Sequence, residues 1–194
     1  MITLILSLSL RQLLGQRRAL FLLLLSLFPL IAAVIYRLSD SVLEPPEFAA
    51  QVLLNGFINQ GLLPLTALIF GTAALGTEIE NGTITYLLSK PISRWRIFAG
   101  KLLASWAATT FVVLVGAIVS AAVVLAGESE WRILTSFAIA LVGGSLAYSA
   151  LFILFSLVTS RALFAGLAYA FIWEGFVTNF APGVQHVSIR EYTL

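Results

Sequence analysis

Residues Gly100-Lys101 are the part of the sequence that most resembles a nucleotide-binding motif. A phosphate-binding loop has the pattern Gly-x-x-x-x-Gly-Lys-Ser/Thr, in which backbone amides and the lysine hold the phosphates. Here Trp95 occupies the position of the first glycine, and Leu102 follows the lysine. Because the pattern fails at both positions, we expect no ATP site and no ATPase activity in this chain.

Glu174 is the one carboxylate within the last long apolar segment. It continues a four-residue series of Ala162, Gly166 and Ala170, with Thr178 next, which is typical of a small-residue packing face of a membrane helix. An ionisable group inside a membrane is costly and commonly functional. Two interpretations stay open: a direct role with the substrate or a proton, and a structural role that bonds a kinked outer segment.

A row of polar residues runs through the second apolar segment. Gln51, Asn55 and Asn59 follow one another at four-residue steps, and Thr66 comes seven residues later. Residues at this spacing share one face of an α-helix, and polar groups that face lipid lack partners. The row is therefore predicted to face other helices or water. It either lines a transport path or forms hydrogen bonds between helices.

The sequence offers no evident metal site or catalytic set. Cysteine is absent, and the single histidine, His186, has no partner residues at metal-ligand spacing. We therefore expect no cofactor and no metal in this chain. An intramembrane enzyme that uses Glu174 is retained as an alternative function.

Long apolar segments must position these residues. Apolar residues make up 60% of the 194 and charged residues 10%, with a mean hydropathy of +1.01, which is unlike a soluble domain. About 20 apolar residues cross a bilayer as a helix. Five segments meet this length: residues 19–36, 52–75, 102–126, 133–158 and 162–180. Their apolar character does not alternate as in barrel strands, so we predict an all-α, polytopic bundle in one domain, residues 1–194.

The basic residues predict the orientation. One set of loops is basic and carries Arg11, Arg17, Arg18, Lys90, Arg94, Arg96, Lys101 and Arg161. The other set is mainly acidic and carries Asp40, Glu44, Glu47, Glu128, Glu130 and Glu191. Since an excess of Lys and Arg marks the cytoplasmic side, the N-terminus is predicted inside and the tail, residues 181–194, outside. The expected location is the plasma or inner membrane of the cell.

The segments next to the first span leave some alternatives open. Residues 1–18 combine leucines at helical spacing with arginines, which indicates an interfacial amphipathic segment or a plain extension of the first helix. A signal peptide is disfavoured, because the apolar run is near spanning length and no clear cleavage site precedes Arg37. Pro45-Pro46 is predicted to mark the outer turn before the second span.

Residues 77–101 form the most informative cytoplasmic stretch. Asn81-Gly82 predicts a turn. A short amphipathic helix follows and is expected to end before Pro91, and Ser93 is predicted to cap the helix of span three. A short helix between two spans, parallel to the membrane, is typical of a docking element for a cytoplasmic partner. A plain surface loop is the alternative.

The same stretch resembles the permease subunits of type-two ABC exporters, which have the type V fold. The resemblance is carried by Glu78-Ile79-Glu80-Asn81-Gly82-Thr83, by Leu87-Leu88-Ser89-Lys90-Pro91-Ile92-Ser93-Arg94 and by Gly100-Lys101. The order of the spans and the segment 187–192 are also similar, so the resemblance covers essentially the whole chain. Members of this family usually have six spans with both termini inside, and five are seen here. Either the sixth span was lost, or this chain is a five-span variant, or the sequence is part of a longer one. We favour the last interpretation, because the tail ends where a return span is expected to begin.

The resemblance implies the permease of an ATP-driven exporter, which forms the substrate path. Two such subunits pair, often as a homodimer, and each engages a cytoplasmic ABC ATPase that holds ATP and Mg. The residues expected to couple to this ATPase are Gly82, Thr83, Tyr86, Leu87, Leu88, Pro91, Arg94 and Arg96. Of these, Tyr86, Leu87 and Leu88 are the predicted apolar anchors, and the arginines are peripheral charges. Membrane lipid is a further expected partner and nucleic acid is not. A membrane scaffold or assembly protein without a transport path is the alternative.

Overall fold

The computed structural model describes residues 7–10, 13, 22, 24–39, 43–80, 82, 93–127, 132–159 and 161–170. In this part of the chain the elements are α1 (Leu27–Leu38), α2 (Pro45–Glu47), π1 (Phe48–Leu62), α3 (Leu63–Glu80), α4 (Arg94–Val124), α5 (Arg132–Val158) and α6 (Ala162–Ala168). No strand occurs among the described residues. The predicted all-α bundle is confirmed.

Several helices are long enough to cross a membrane. The described part contains three such apolar helices, Pro45–Gly76, Arg94–Val124 and Arg132–Val158. At 1.5 Å per residue, each exceeds the roughly 30 Å of a hydrocarbon core. α1 is a shorter apolar helix of 12 residues, which overlaps the second half of the predicted first span and ends two residues beyond it. α6 occupies the start of the predicted fifth span, of which residues 171–180 lie outside the described part.

Pro45 and Pro46 lie in a helix and not in a turn. They occupy the first positions of α2, which leads directly into π1 and then α3. The fixed φ angle of proline suits the first helical turn, where its missing N–H has no partner to lose. The predicted turn at Pro45-Pro46 is therefore wrong, because these residues open the second long helix.

The first half of this helix has π geometry. π1 comprises 15 residues, and the N–H of the following Leu63 donates to the carbonyl oxygen of Ile58, five residues earlier. An α-helix joins residues four apart, so a π-helix is wider and its side chains follow a different periodicity.

α3, α4 and α5 pack together at the centre of the bundle. The closest approach is at Gly71 of α3, where a Cβ atom would lie 2.9 Å from the Cβ of Phe152 and 3.5 Å from the carbonyl oxygen of Ser149 in α5. Small residues permit such contact between membrane helices, which is held largely by van der Waals packing. The backbones of α3 and α5 therefore meet because position 71 has no side chain.

The predicted small-residue face of the last span packs against this centre. Ala162 and Gly166 of α6 are buried. A Cβ atom on Gly166 would overlap Cδ1 of Leu68 and lie 3.1 Å from Cδ1 of Phe152. The start of the last span thus contacts the second and fourth spans of its own chain.

Large apolar side chains cover much of the outer surface. Phe28, Ile139, Phe164 and Val158 are 57%, 76%, 71% and 77% exposed. A soluble monomer rarely shows extended apolar surface, whereas lipid is a favourable solvent for it. The surface therefore agrees with a bundle surrounded by lipid.

The bundle has two distinct ends. The basic end carries Arg94, Arg96, Lys101 and Arg161. At the opposite end, Arg37 Nε donates to the carbonyl oxygen of Val123 at 3.0 Å, and its Nη2 donates to that of Ala126. These acceptors lie at the C-terminus of α4, where a cation is favourable. Arg37 therefore ties α1 to the end of α4.

Tyr36 adds a second connection at the opposite end. Its hydroxyl donates to the carbonyl oxygen of Leu43 at 2.7 Å, and its ring stacks on Phe48 with the centroids 4.0 Å apart. α1 is thereby joined to the beginning of the second long helix, which fixes how the chain enters it.

Candidate functional site

The two ends of the loop motif meet at the basic end of the bundle. Lys101 Nζ donates to Oε1 of Glu78 across 23 residues of sequence, and their side chains are 5% and 17% exposed. Taking a charge out of water is costly unless the charge is paired. The burial of each group therefore depends on the other, and the pair joins α3 to α4.

Residues beside this ion pair in the sequence form a small apolar cluster. Ile79 and Leu102, the sequence neighbours of the two charges, pack with Phe98 against Ala74, Leu75 and Ile153. Burial of the two charged side chains lowers the local dielectric and strengthens the attraction between opposite charges. The pair and these contacts hold α3, α4 and α5 together at the point where the loop leaves the bundle.

The flanks of the loop have the local geometry that the sequence predicts, with one difference. Gly82 lies in a turn with φ at +67°, and its N–H donates to the carbonyl oxygen of Ile79 at 3.1 Å. Glycine adopts this backbone conformation without steric cost. Ser93 occupies the N-cap position of α4, but its side chain makes no capping hydrogen bond. Instead its carbonyl oxygen accepts the N–H of Arg96 at 2.9 Å.

The first turn of α4 presents an exposed basic surface. Arg94, Trp95 and Arg96 are all exposed, with Trp95 at 72%, while the next residue, Ile97, is buried. The Trp95 ring stacks on Phe98 with the centroids 5.9 Å apart. Within the described part of the chain, neither guanidinium of Arg94 or Arg96 forms an ion pair. This surface offers two positive charges and an aromatic ring to a partner.

Some predicted site residues lie outside the described part of the chain. Thr83, Tyr86, Leu87, Leu88 and Pro91 of the loop are among them, as is the predicted short helix. Glu174 and His186 also fall outside it. The roles given to these residues stay predictions from the sequence.

The predicted polar row becomes more buried along the second long helix. Gln51 is exposed, Asn55 is partly buried, and Asn59 and Thr66 are fully buried. The first three residues lie in π1 and Thr66 lies in α3. The second half of the row therefore reaches the interior, and its placement on one shared face stays a prediction.

The side-chain hydrogen bonds of this row lie within the second long helix. Gln60 Nε2 donates to Oδ1 of Asn55 at 3.3 Å, which is a five-residue step. The buried hydroxyl of Thr66 donates to the carbonyl oxygen of Leu62 in its own helix at 2.8 Å. A hydroxyl satisfied in this way needs no partner helix. Whether the row lines a transport path stays a prediction.

Sequence reasoning missed a set of polar residues between α4 and α5. The hydroxyls of Thr110 and Ser145 lie 2.6 Å apart, and Trp106 Nε1 donates to the carbonyl oxygen of Val142 at 3.0 Å. Hydrogen bonds between membrane helices contribute about 0.6 kcal/mol each. The signal was available, because Ser145 and Ser149 follow one another at four-residue spacing in the fourth span. These bonds fix α4 against α5.

An apolar cavity of about 280 Å³ opens between α1 and π1. It is lined by Leu25, Phe28, Pro29, Gly56, Phe57, Gly61, Leu62 and Leu65. Gly56 and Gly61 carry no side chains, which leaves the space beside π1 free. The lining offers apolar contact and no polar side chain.

The comparison with known families agrees with this architecture. The family described as ABC-2 family transporter protein matches residues 5–189, which is nearly the whole chain. No curated protein and no solved structure matches the sequence significantly. Permeases of this family associate with an ABC ATPase subunit. The long apolar helices and the match over residues 5–189 together show that this chain belongs to the ABC-2 transporter family and is a multi-pass permease component of an ABC transporter.

Proposed function

We propose that this chain is the permease subunit of an ATP-driven exporter, in which residues 77–101 receive movement from a separate cytoplasmic ATPase. The observation that carries this proposal is the ion pair between Glu78 and Lys101. It lies where both ends of the loop enter the bundle, so a force on the loop acts directly on two spans. The ATPase holds ATP and Mg, because residues 95–102 depart from the phosphate-loop pattern.

The permease acts in pairs in this proposal, with a second copy of the chain as the partner and the substrate path formed by the two. The buried residues Asn59 and Thr66 and the carboxylate of Glu174 are the candidates for polar groups along or near this path. The exposed apolar surface of the bundle supports contact with lipid or with a second bundle. The chain acts in the cell membrane and catalyses no reaction of its own.

The basic end faces the cytoplasm in this proposal. Single cysteines at Arg94 and at Glu44, which are both exposed, are expected to react with a membrane-impermeant maleimide from opposite sides of the membrane. The physical reason is the concentration of Lys and Arg around residues 90–101. The parent chain has no cysteine and serves as the unlabelled control. Labelling of both positions from the outside contradicts the orientation.

The coupling role predicts a large effect of a single substitution in the loop. Leu87→Asp is expected to abolish recovery of the ATPase with the permease, while the chain still inserts in the membrane. A few buried apolar anchors carry most of the energy of a protein interface, and an unpaired charge buried there costs about 3–5 kcal/mol. The measurement is co-purification of the ABC ATPase that forms a stable complex with the unsubstituted chain.

A matched control has the same substitution at the other end of the bundle. Leu38 is 84% exposed at the end of α1, so Leu38→Asp is expected to leave recovery of the ATPase unchanged. The permease purified alone is expected to hydrolyse ATP at background level. Equal recovery of the ATPase with Leu87→Asp and with the unsubstituted chain would refute the coupling role and favour the scaffold alternative.

A further inference from the structure

The ion pair between Glu78 and Lys101 lies where the second and third spans meet the loop that joins them. Beyond it, towards the loop, Arg94, Trp95 and Arg96 are exposed, and Gly82 has no atom within 4 Å of a Cβ placed on it. On the other side of the pair, the two helices are packed along their lengths. Among the residues that the structure describes, the pair is thus the buried polar connection between α3 and α4 that lies nearest to the loop.

Apolar packing continues from the pair into the bundle. Phe70 and Ala73 of α3 belong to one buried cluster with Ala104, Ala108 and Val112 of α4. Close-packed side chains have little room to slide, so a displacement at one end of such an interface is carried along it. Any movement that reaches Glu78 and Lys101 together therefore reaches the body of both helices.

The pair also restricts how the two helix ends move. Separating them would break an ion pair between two largely buried side chains, which is strongly unfavourable. Lys101 lies eight residues after Ser93, which corresponds to about 12 Å along α4. A push on the exposed start of α4 is thereby passed to α3 and not absorbed by a gap between the helices.

We propose that Glu78 and Lys101 form a strut, which makes the ends of the second and third spans move as one body when the loop is displaced. This inference rests on the proposed coupling role of residues 77–101. The two residues act as positioning residues in it. They are not needed to bind the ATPase, since both side chains are buried in the bundle. Loss of the strut is expected to separate loop movement from movement of the far end of the second span.

The test uses fluorescent reporters at the start of α4 and at the far end of the second span. The chain has no cysteine, so a single cysteine carrying an environment-sensitive bimane is placed at Ser93 or at Glu44, which are both exposed. Ser93 makes no side-chain capping bond, and so its replacement removes no such contact. Each labelled chain is assembled with a cysteine-free ATPase in lipid nanodiscs. The signal is the change in emission between the nucleotide-free state and the state trapped with ATP and vanadate.

In the otherwise unsubstituted chain, both reporters are expected to respond to trapping. With Glu78→Gln, the ATPase is still recovered and the Ser93 reporter still responds, but the response at Glu44 is lost. The double reversal Glu78→Lys with Lys101→Glu restores the ion pair and is expected to restore the response at Glu44. A purely structural contact would not separate the two reporters in this way.

Other outcomes overturn the strut. A full response at Glu44 with Glu78→Gln shows that the pair is not needed for transmission. An assembled double reversal without a response at Glu44 shows that pairing is not the cause, and this variant alone decides if Glu78→Gln does not assemble. Absence of a response at Ser93 in the unsubstituted complex refutes the coupling role of the loop itself, and the strut with it. Failure of the proposed function is thereby distinguished from failure of the strut alone.

Discussion

Replacement of Gly71 by alanine is expected to destabilise the chain by about 1–3 kcal/mol, the usual cost of overpacking a well-packed core. The new methyl group would lie 2.9 Å from the Cβ of Phe152. That atom is attached directly to the backbone of α5, so no side-chain rotation relieves the overlap. α3 and α5 must therefore move apart along the closest contact in the centre of the bundle. The measurement is the free energy of unfolding in detergent, followed by tryptophan fluorescence.

Gly143 provides the matched control for this substitution. It lies in the middle of α5, and a Cβ atom placed on it has nothing within 4 Å. Alanine is the better helix former by roughly 0.5–1 kcal/mol, so Gly143→Ala is expected to leave the free energy of unfolding unchanged or to raise it. Equal effects of Gly71→Ala and Gly143→Ala would contradict the close approach of α3 and α5.

Removal of one charge from the ion pair of Glu78 and Lys101 is expected to lower the free energy of unfolding at least as much as Gly71→Ala does. Lys101→Met leaves the carboxylate of Glu78, 17% exposed, in the apolar surroundings of α4. Breaking a buried ion pair by removing one partner costs about 3–5 kcal/mol, because the remaining charge is not compensated. The free energy of unfolding of the single variant, measured as above, checks this expectation. Arg132→Met is the control, since Arg132 is exposed and forms no ion pair in the described part of the chain.

The double variant shows whether this cost comes from an uncompensated charge. Replacing a buried ion pair with apolar residues of similar volume is often neutral or stabilising. Lys101→Met combined with Glu78→Met is therefore expected to be clearly more stable than Lys101→Met alone. If the double variant loses as much free energy of unfolding as the two single variants together, the residues act independently. In that case the pair would not connect α3 and α4 energetically.

The general class of this protein could be predicted from its sequence. The long apolar segments predict membrane-spanning helices, because hydropathy and length act locally and need no knowledge of contacts. Gly82 and Ser93 were likewise placed correctly, in a turn and at a helix start, since glycine and serine favour these positions through their own backbone chemistry. The motif at residues 78–101 indicated the family that the match over residues 5–189 shows.

The positions of individual side chains were less predictable. The sequence did not predict the π geometry of residues 48–62, nor that the polar row changes from exposed at Gln51 to buried at Asn59. Pro45-Pro46 satisfied the sequence rule for a turn and equally the rule for a helix start. In both cases the local sequence permits two backbone geometries, and packing of the surrounding helices selects one.

The sequence by itself determined that this protein lies in a membrane, and it also determined the secondary structure class and the family. Each of these depends on composition and local pattern. Only the tertiary structure decided which residues touch. Glu78 meets Lys101, Gly71 meets Phe152, and Arg37 reaches the end of α4. The members of each pair are far apart in the chain, and no periodicity or propensity links them. They are brought together because small residues let the apolar helices pack closely, and that packing fixes where the few buried charges find partners.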